Sequence, residues 1–557
     1  MHEKTDRSRV KGFLRAEGTR IVNGDGEEIL LTGWGLGNWL LCEGYMWKSH
    51  SSRFDRPRRI EAVIREAAGS SYAEQFWKRF RDNYVTREDI RLMAEQGYNS
   101  VRIPFGWRIL MEDEPGIRWK EDGFALIDRC LDWCEEFGLY AFLDLHGAPG
   151  GQTGANIDDS VDDFPRLFTD EDSWNKGIEL WKELARRYRD RWIVGGYDLL
   201  NEPVRPGLME GKHEDYLVRR LAAFYEEVIA AIREIDDRHL LSVEGHHWAT
   251  NTAVFYKRYD PNMVIHFHRY ACKPGKEAYE EFLALSEALD LPLWLGETGE
   301  NDLEWFAAMY PLALSLGIGY NLWPWKKMER ATSPYTVNQP EGWDEFLAYA
   351  EGGARPSYER VQQILDAYLE NIKVENCTPR PEVTAAVFRQ PGCRVRGTDF
   401  DELPGRGISF SGGRMEGNLY KYRAKTGMKI VPINGEPQPK KFGFDSGWQN
   451  LALELTDGEF AAYSFCGIDA GNTVKLELVC REAAIVTIMQ DGESARGAVA
   501  KQRSMPRQRL ACAGSRFRAR RQRAGRPNRI AFHHGGIKGL TLFAAHDILY
   551  LVAAKKS

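Results

Sequence analysis

Between residues 28 and 323 the chain alternates short apolar runs with longer amphipathic stretches. Eight apolar runs, at 29–32, 100–103, 140–145, 197–200, 240–243, 263–267, 293–295 and 319–322, have the length and bounding residues of buried strands. Between them, patterns near a 3.6-residue period, as at 124–137 and 216–235, predict helices. Strand and helix in regular alternation imply a parallel sheet, and eight such units close into a (β/α)8 TIM barrel.

The pattern then changes. Tyr358–Asn371 reads as one more helix, and the Pro-containing stretch 377–382 reads as a linker. Beyond it, alternating positions at 451–455, 460–465, 474–479, 485–489 and 548–552, separated by Gly, Asp and Asn, predict strands. The expected architecture is therefore α/β, with a catalytic barrel over residues 1–375 followed by a smaller all-β sandwich over 380–557.

Barrels of this kind keep their chemistry at the C-terminal ends of the strands, so the residues that follow each run are the informative ones. Arg102 closes the second run, His146 follows the third, Asn201 and Glu202 the fourth, His268 and Tyr270 the sixth, Glu297 the seventh, and Trp323 the eighth. Residues so costly to bury seldom gather at one register without a shared task. Glu202 and Glu297 end strands that face each other across such a barrel. Two carboxyl groups ~5 Å apart are what retaining glycosidic-bond hydrolysis requires, one as acid/base and one as nucleophile. Arg102, His268 and Tyr270 are placed to keep Glu297 ionised, and Asn201 to bond a sugar 2-hydroxyl. Glu202, with no such partner in view, is expected to keep a raised pKa and serve as the acid.

Composition narrows the partners. In 557 residues the chain has 43% hydrophobic and 28% charged residues with a net charge of −6, a soluble balance with no general attraction to nucleic acid. Seventeen Trp and 23 Tyr suit sugar faces as well as core packing. The first eleven residues, MHEKTDRSRVK, contain no apolar run for export or a membrane span, so a cytoplasmic protein is expected. Nine cysteines with no CxxC pair fit reduced thiols, and Cys130 and Cys134 lie on an apolar helical stripe. Seven arginines between Arg516 and Arg529 lack the interleaved aromatics of a base-stacking surface and read as a solvated loop.

The segments Leu200-Asn201-Glu202-Pro203, Gly296-Glu297, Val101-Arg102-Ile103-Pro104 and Asp144-Leu145-His146-Gly147-Ala148-Pro149-Gly150 resemble glycoside hydrolase family 5 over roughly residues 20 to 370. The resemblance implies Glu202 as acid/base and Glu297 as nucleophile, with Arg102, His146, Asn201, His268, Tyr270 and Trp323 lining the subsite for the sugar being cleaved. The run from Gly35 to Glu43 is similar to the exo-β-glucanase and β-glucosidase branches, where an early Glu like Glu43 contacts the terminal sugar, and Trp39 beside it is a further candidate for substrate contact. The chain departs from those branches at Asn38, Cys42, Thr153 and Asn156. Of the eighth-strand tryptophans, Trp323 is preferred over Trp325 as a sugar platform, and Asn156, Asp158 and Trp248 are loop candidates for substrate contact. Residues 458–464 resemble a strand of carbohydrate-binding modules, with Trp448 just before them.

The function expected is retaining hydrolysis of β-glucosidic bonds in small oligosaccharides or glycosides, with no cofactor and no metal. The alternatives are a carbohydrate-binding protein on an inactive barrel, an endo-β-glucanase, or a glycosylceramidase-like hydrolase. A metallohydrolase reading would use His266 and His268 with Asp144 and His146, but such a pair ordinarily sits on the first strand of a metal-dependent barrel.

Overall fold

The structure is a computed structural model; it describes residues 7–208, 211–328, 331–403, 405–412, 422–432, 447–455 and 459–466, and beyond them the backbone of strands only. Eight parallel strands form a closed barrel: β1 (Thr32–Gly35), β2 (Ser100–Gly106), β3 (Tyr140–Gly147), β4 (Val194–Asp198), β5 (Leu240–Glu244), β6 (Met263–Arg269), β7 (Leu293–Gly299) and β8 (Gly319–Trp323). Each pairs with the next, and β8 returns to β1, with Tyr320 opposite Thr32. β2, β3 and β7 are buried along their whole length, as strands covered on both faces must be, which is why their sequences read as continuous apolar runs.

Helices cover the outside: α1 (Pro57–Ala68), α2 (Ser70–Tyr84), α3 (Arg87–Gln96), α4 (Glu121–Phe137), α5 (Glu171–Tyr188), α6 (Lys212–Arg233), α7 (Glu280–Leu289) and α8 (Leu303–Ser315). Cys130 and Cys134 are fully buried on the inward face of α4, as the apolar stripe predicts. No helix among the described residues is long and apolar enough to cross a membrane.

Three segments differ from expectation. The run at 29–32 places the first strand too early: Ile29 instead bonds Ile21 of an N-terminal hairpin, and the barrel strand begins at Thr32. The fourth strand ends at Asp198, yet Leu199 and Leu200 stay buried because the backbone keeps bonding its neighbours, Leu199 to Ser242 and Asn201 to Leu145. The stretch 377–382 is not a free linker. Thr378 pairs with Thr336 in a small sheet, and Pro381 opens the helix Pro381–Val387 at a position where its missing N–H costs nothing.

That helix explains α8. Nine residues of α8, from Trp305 to Ala313, are buried on every side, because the barrel covers one face and the post-barrel segment the other. Arg389 reaches back to the Ala307 carbonyl at 2.5 Å, and Gln449 to Asp302 at 3.1 Å. After the barrel come antiparallel sheets. One has Arg394–Arg396, Ile548–Ala554, Thr473–Glu477 and Phe517–Arg518; another has Phe460–Phe465, Asn528–His534, Ala484–Gln490 and Glu493–Val499. The arginine-rich stretch from Arg516 to Arg529 lies largely outside the described residues.

Candidate active site

The strand ends gather four acids around one arginine. Arg102, fully buried in β2, donates from Nε to Asp198 at 2.8 Å and from Nη1 to Glu297 Oε2 at 2.5 Å. From Nη2 it reaches Asn201 Oδ1 at 2.8 Å, Glu244 at 3.0 Å and Asp144 at 3.2 Å. A planar fork with five N–H groups meets this many acceptors; a lysine could not. Burial alone opposes a charged guanidinium, but Asp144, Asp198, Glu297 and Glu244 hold its pKa well above the ordinary value.

Glu297, the fifth residue of β7, accepts from Tyr270 Oη at 2.7 Å through its other oxygen. Burial pushes its pKa up, yet the positive charges of His268, Arg102 and His146, with the Tyr270 hydroxyl, outweigh burial and hold it below the usual carboxylate range. Glu202 takes the opposite course. It leaves β4 in the left-handed region (φ 45°), which turns its side chain inward, and burial raises its pKa despite the neighbouring His268. One oxygen of each carboxylate lies within 4.8 Å of the other. Asp144, Asp198, Glu244 and Glu297 all pair with Arg102, whereas Glu202 is held by His268 instead, and burial leaves Glu202 the acid that keeps its proton.

His268 sits elsewhere than the sequence suggests. Its Nδ1 is 2.7 Å from Glu202 Oε1, not on Glu297, and its Nε2 faces His266 Nε2 at 3.0 Å. Glu202 therefore does have a close partner, and its raised pKa comes from burial rather than isolation. Burial disfavours a charged His268, but Glu244, Glu297 and Glu202 more than compensate and raise its pKa well above the ordinary value. His266, the second half of the His-x-His pair, bonds Asp198 at 3.1 Å and Ser242 at 2.9 Å through Nδ1, and this belongs to the same network.

Trp323 stacks parallel to His146 (centroids 5.2 Å, 6°) and donates to Tyr45 Oη at 2.9 Å. A Cβ on Gly35 would come within 2.6 Å of its ring, so the strand opposite must be bare there. Trp325 turns instead into the core, donating to Asp89 at 3.1 Å. His146 bonds Asp144 at 2.8 Å and lies 3.3 Å from Asn201 Nδ2, which leaves the Asn201 amide facing the space between. Glu43 is buried, and burial together with Glu297, Glu300 and Glu202 raises its pKa well above the ordinary range, which places it beside the carboxylate pair.

Asn156 and Trp248 line one cleft of about 560 Å³ together with Tyr45, His50, Arg56 and Arg205. Trp248 is exposed there at 40%. Three candidates are not brought to the site in the way expected. Trp39 is 1% exposed, and its N–H is taken by the Arg81 carbonyl of α2, so it is a core residue. Asp158 accepts the backbone N–H groups of Thr153, Gly154 and Ser160 and shapes the loop from inside. Trp448 is fully buried under Arg396, 4.9 Å from its ring, and offers no open face to a sugar.

Sequence reasoning missed Glu244. Its Oε2 accepts the Glu202 backbone N–H at 2.7 Å and its Oε1 serves Arg102, so it fixes both the strained turn and the arginine. The signal was available, since Glu244 ends the fifth strand in Leu240-Leu241-Ser242-Val243-Glu244, the same register as the other site residues.

Residues 64–329 match the family model described as Cellulase (glycosyl hydrolase family 5). The match runs from within α1 to just past β8 and so takes in most of the barrel. The chain is similar to the β-xylosidase of Phanerodontia chrysosporium, 31% identical over 307 residues that cover 52% of this chain and 61% of the relative. It is also similar to the glucan 1,3-β-glucosidase of Lachancea kluyveri, 31% identical over 34% of this chain and 44% of the relative. The chain thus spans about three-fifths or less of the length of these curated relatives. A crystal structure described as endogalactoceramidase aligns over 94% of this chain and 100% of its own at 15% identity, with a TM-score of 0.46.

One glycine in the barrel makes a prediction. A Cβ at Gly296 would sit 2.0 Å from His266 Nε2, inside any allowed contact. Gly296→Ala is expected to displace His266, loosen His268 from Glu202, and cut kcat by about 10² or more while the folded far-UV signal remains. Unchanged kcat would mean that this network does not position the acid.

Proposed function

We propose that this protein is a retaining β-glycosidase that hydrolyses β-glucosidic bonds of small oligosaccharides or glycosides, with Glu202 as general acid/base and Glu297 as nucleophile. The observation that carries the reading is the carboxylate pair: two buried acids with oxygens within 4.8 Å, one pKa held down and the other held up. Retaining enzymes place their carboxyl groups ~5–5.5 Å apart, whereas inverting enzymes leave ~6.5–9.5 Å for a water.

In the first step the Glu297 carboxylate attacks the anomeric carbon, the glycosidic C–O bond breaks, and Glu202 gives its proton to the departing oxygen. In the second, Glu202 takes a proton from water, which attacks the same carbon and expels Glu297 from the glycosyl ester. Arg102 and Tyr270 hold Glu297 in position for attack from below the ring, and the Asn201 amide, fixed between Arg102 and His146, suits the 2-hydroxyl. Trp323, flat against His146, is the platform for the ring. Supporting exo attack is Glu43, a buried carboxyl beside the pair, suited to bond the hydroxyls of a terminal sugar. The cleft lined by Asn156 and Trp248 then receives the leaving group.

A 2-deoxy-2-fluoro-β-glucoside with a good leaving group tests the assignment. Inactivation with one equivalent bound to the peptide carrying Glu297 is expected; labelling elsewhere, or turnover without a trapped ester, overturns it. The pH profile follows from the two shifts. Glu297 must be ionised, so kcat/KM falls as pH drops through a pKa below the usual carboxylate range; Glu202 must be protonated, so it falls again as pH rises through a pKa above that range. Glu202→Gln, assayed with an activated aryl glucoside, should erase the alkaline limb and keep the acid one. Survival of both limbs would remove Glu202 from the role.

A further inference from the structure

The structure assigns a divalent transition-metal site to Glu214, His246 and His247, on the rim of the cleft and outside the carboxylate network. The residues come from two elements: His246 and His247 follow β5, and Glu214 lies in the first turn of α6. Their ligand atoms fall within 4.8 Å of one another. Glu214 Oε1 is 2.5 Å from His247 Nε2 and 3.7 Å from His246 Nε2.

Neighbouring histidines in ordinary helix or strand point in different directions and cannot share an ion. Here the backbone is unusual. His247, Trp248 and Ala249 have φ of 55°, 57° and 56°, three consecutive residues in the left-handed region, where each L-residue costs ~1–2 kcal/mol. That conformation brings the two imidazoles to the same side, with centroids 4.4 Å apart. Strain of this size persists where something in the structure needs it. One anchor is the His247 N–H, which bonds the Val204 carbonyl at 2.8 Å and ties the turn to the segment carrying Glu202.

His246 is the second observation. It is 3% exposed, its Nδ1 has no hydrogen-bond partner, and its Nε2 stands too far from Glu214 for a hydrogen bond. With its Nε2 3.7 Å from the Glu214 carboxylate and the His247 ring beside it, His246 completes a set of three donors around one point. Two imidazole nitrogens at ~2.0–2.1 Å and one carboxylate oxygen leave a fourth position for water, a donor set suited to zinc. His247 and Glu214 are about a quarter exposed, which gives an ion a path in. Because Trp248 is the next residue and lines the cleft, a bound ion would fix this aromatic at the leaving-group side.

Titration of the chelator-treated full-length protein with zinc chloride, followed by calorimetry and thermal unfolding, tests the site. One equivalent should bind and raise Tm. His246→Ala, and the conservative Glu214→Gln at a partly exposed helix position, should each weaken binding on the order of 100-fold and abolish the rise in Tm. Glu202→Gln should leave zinc binding intact, since Glu202, His268 and Glu297 form a separate cluster. No binding to the wild-type chain, binding that survives Glu214→Gln, or binding lost in Glu202→Gln would overturn the assignment.

Discussion

Replacing Glu297 by Gln is expected to lower kcat for an aryl β-glucoside by at least about 10⁴-fold, a loss typical of removing a nucleophile. The substitution keeps the shape and the Tyr270 contact but gives up the ion pair with Arg102, so kcat is compared on protein shown to be folded, where the loss belongs to chemistry. Cutting the side chain back to Gly opens room for a small anion. With azide, Glu297→Gly should yield the α-glucosyl azide, attack having come from the vacated face, while Glu202→Gly should yield the β-glucosyl azide from the trapped ester. Exchange of these two products would reverse the roles of the two glutamates.

The second large effect is structural. Arg102 is the one guanidinium bonded to Asp144, Asp198, Glu244 and Glu297, each of them buried. Arg102→Leu strands those charges, and leaving a buried ionic network uncompensated costs about 3–5 kcal/mol. The unfolding midpoint in denaturant should fall accordingly, and most steeply at neutral pH. The sign follows from linkage. Asp198 and Glu297 have folded pKa values below their unfolded ones, so their stabilisation is present above the unfolded carboxylate pKa and lost as pH falls through the folded pKa. Without Arg102 that contribution disappears, and acid should harm the variant less than the wild type. Arg102→Lys should retain part of the stability but lose activity by about 10²-fold or more, because an ammonium cannot serve Asp198, Glu297 and Asn201 at once. A leucine variant as stable as the wild type would show that the network is not held by this residue.

Much of the barrel was legible because buried parallel strands leave continuous apolar runs and because site residues follow them in one register. Arg102, Glu202, Glu297 and Trp323 follow that register, and the structure brings them to the strand ends. Glu244 obeys the same rule and was passed over, since nothing in a lone carboxylate after Val243 says that it holds the Glu202 backbone N–H beyond the neighbouring strand. The partner of His268 was misjudged for a different reason. Strand register brings His268 level with Glu297, but the left-handed turn at Glu202 swings that carboxylate onto the imidazole, and a positive φ at a non-glycine residue leaves no sequence signature. Trp39 was read as a sugar contact because aromatic residues near a site look alike in sequence; only its bond to Arg81 shows that it faces α2. The segment 377–382 looked like a linker because prolines mark both linkers and helix starts, and the packing of Pro381–Val387 on α8 decides between them.

The stereochemistry of the first product tests the central claim most directly. Proton NMR of the wild-type enzyme acting on a β-glucoside, recorded before the sugar mutarotates, should show the β-anomer appearing first, as two displacements at one carbon require. The α-anomer appearing first would mean a single displacement by water, and a Glu202–Glu297 pair this close would then need another explanation.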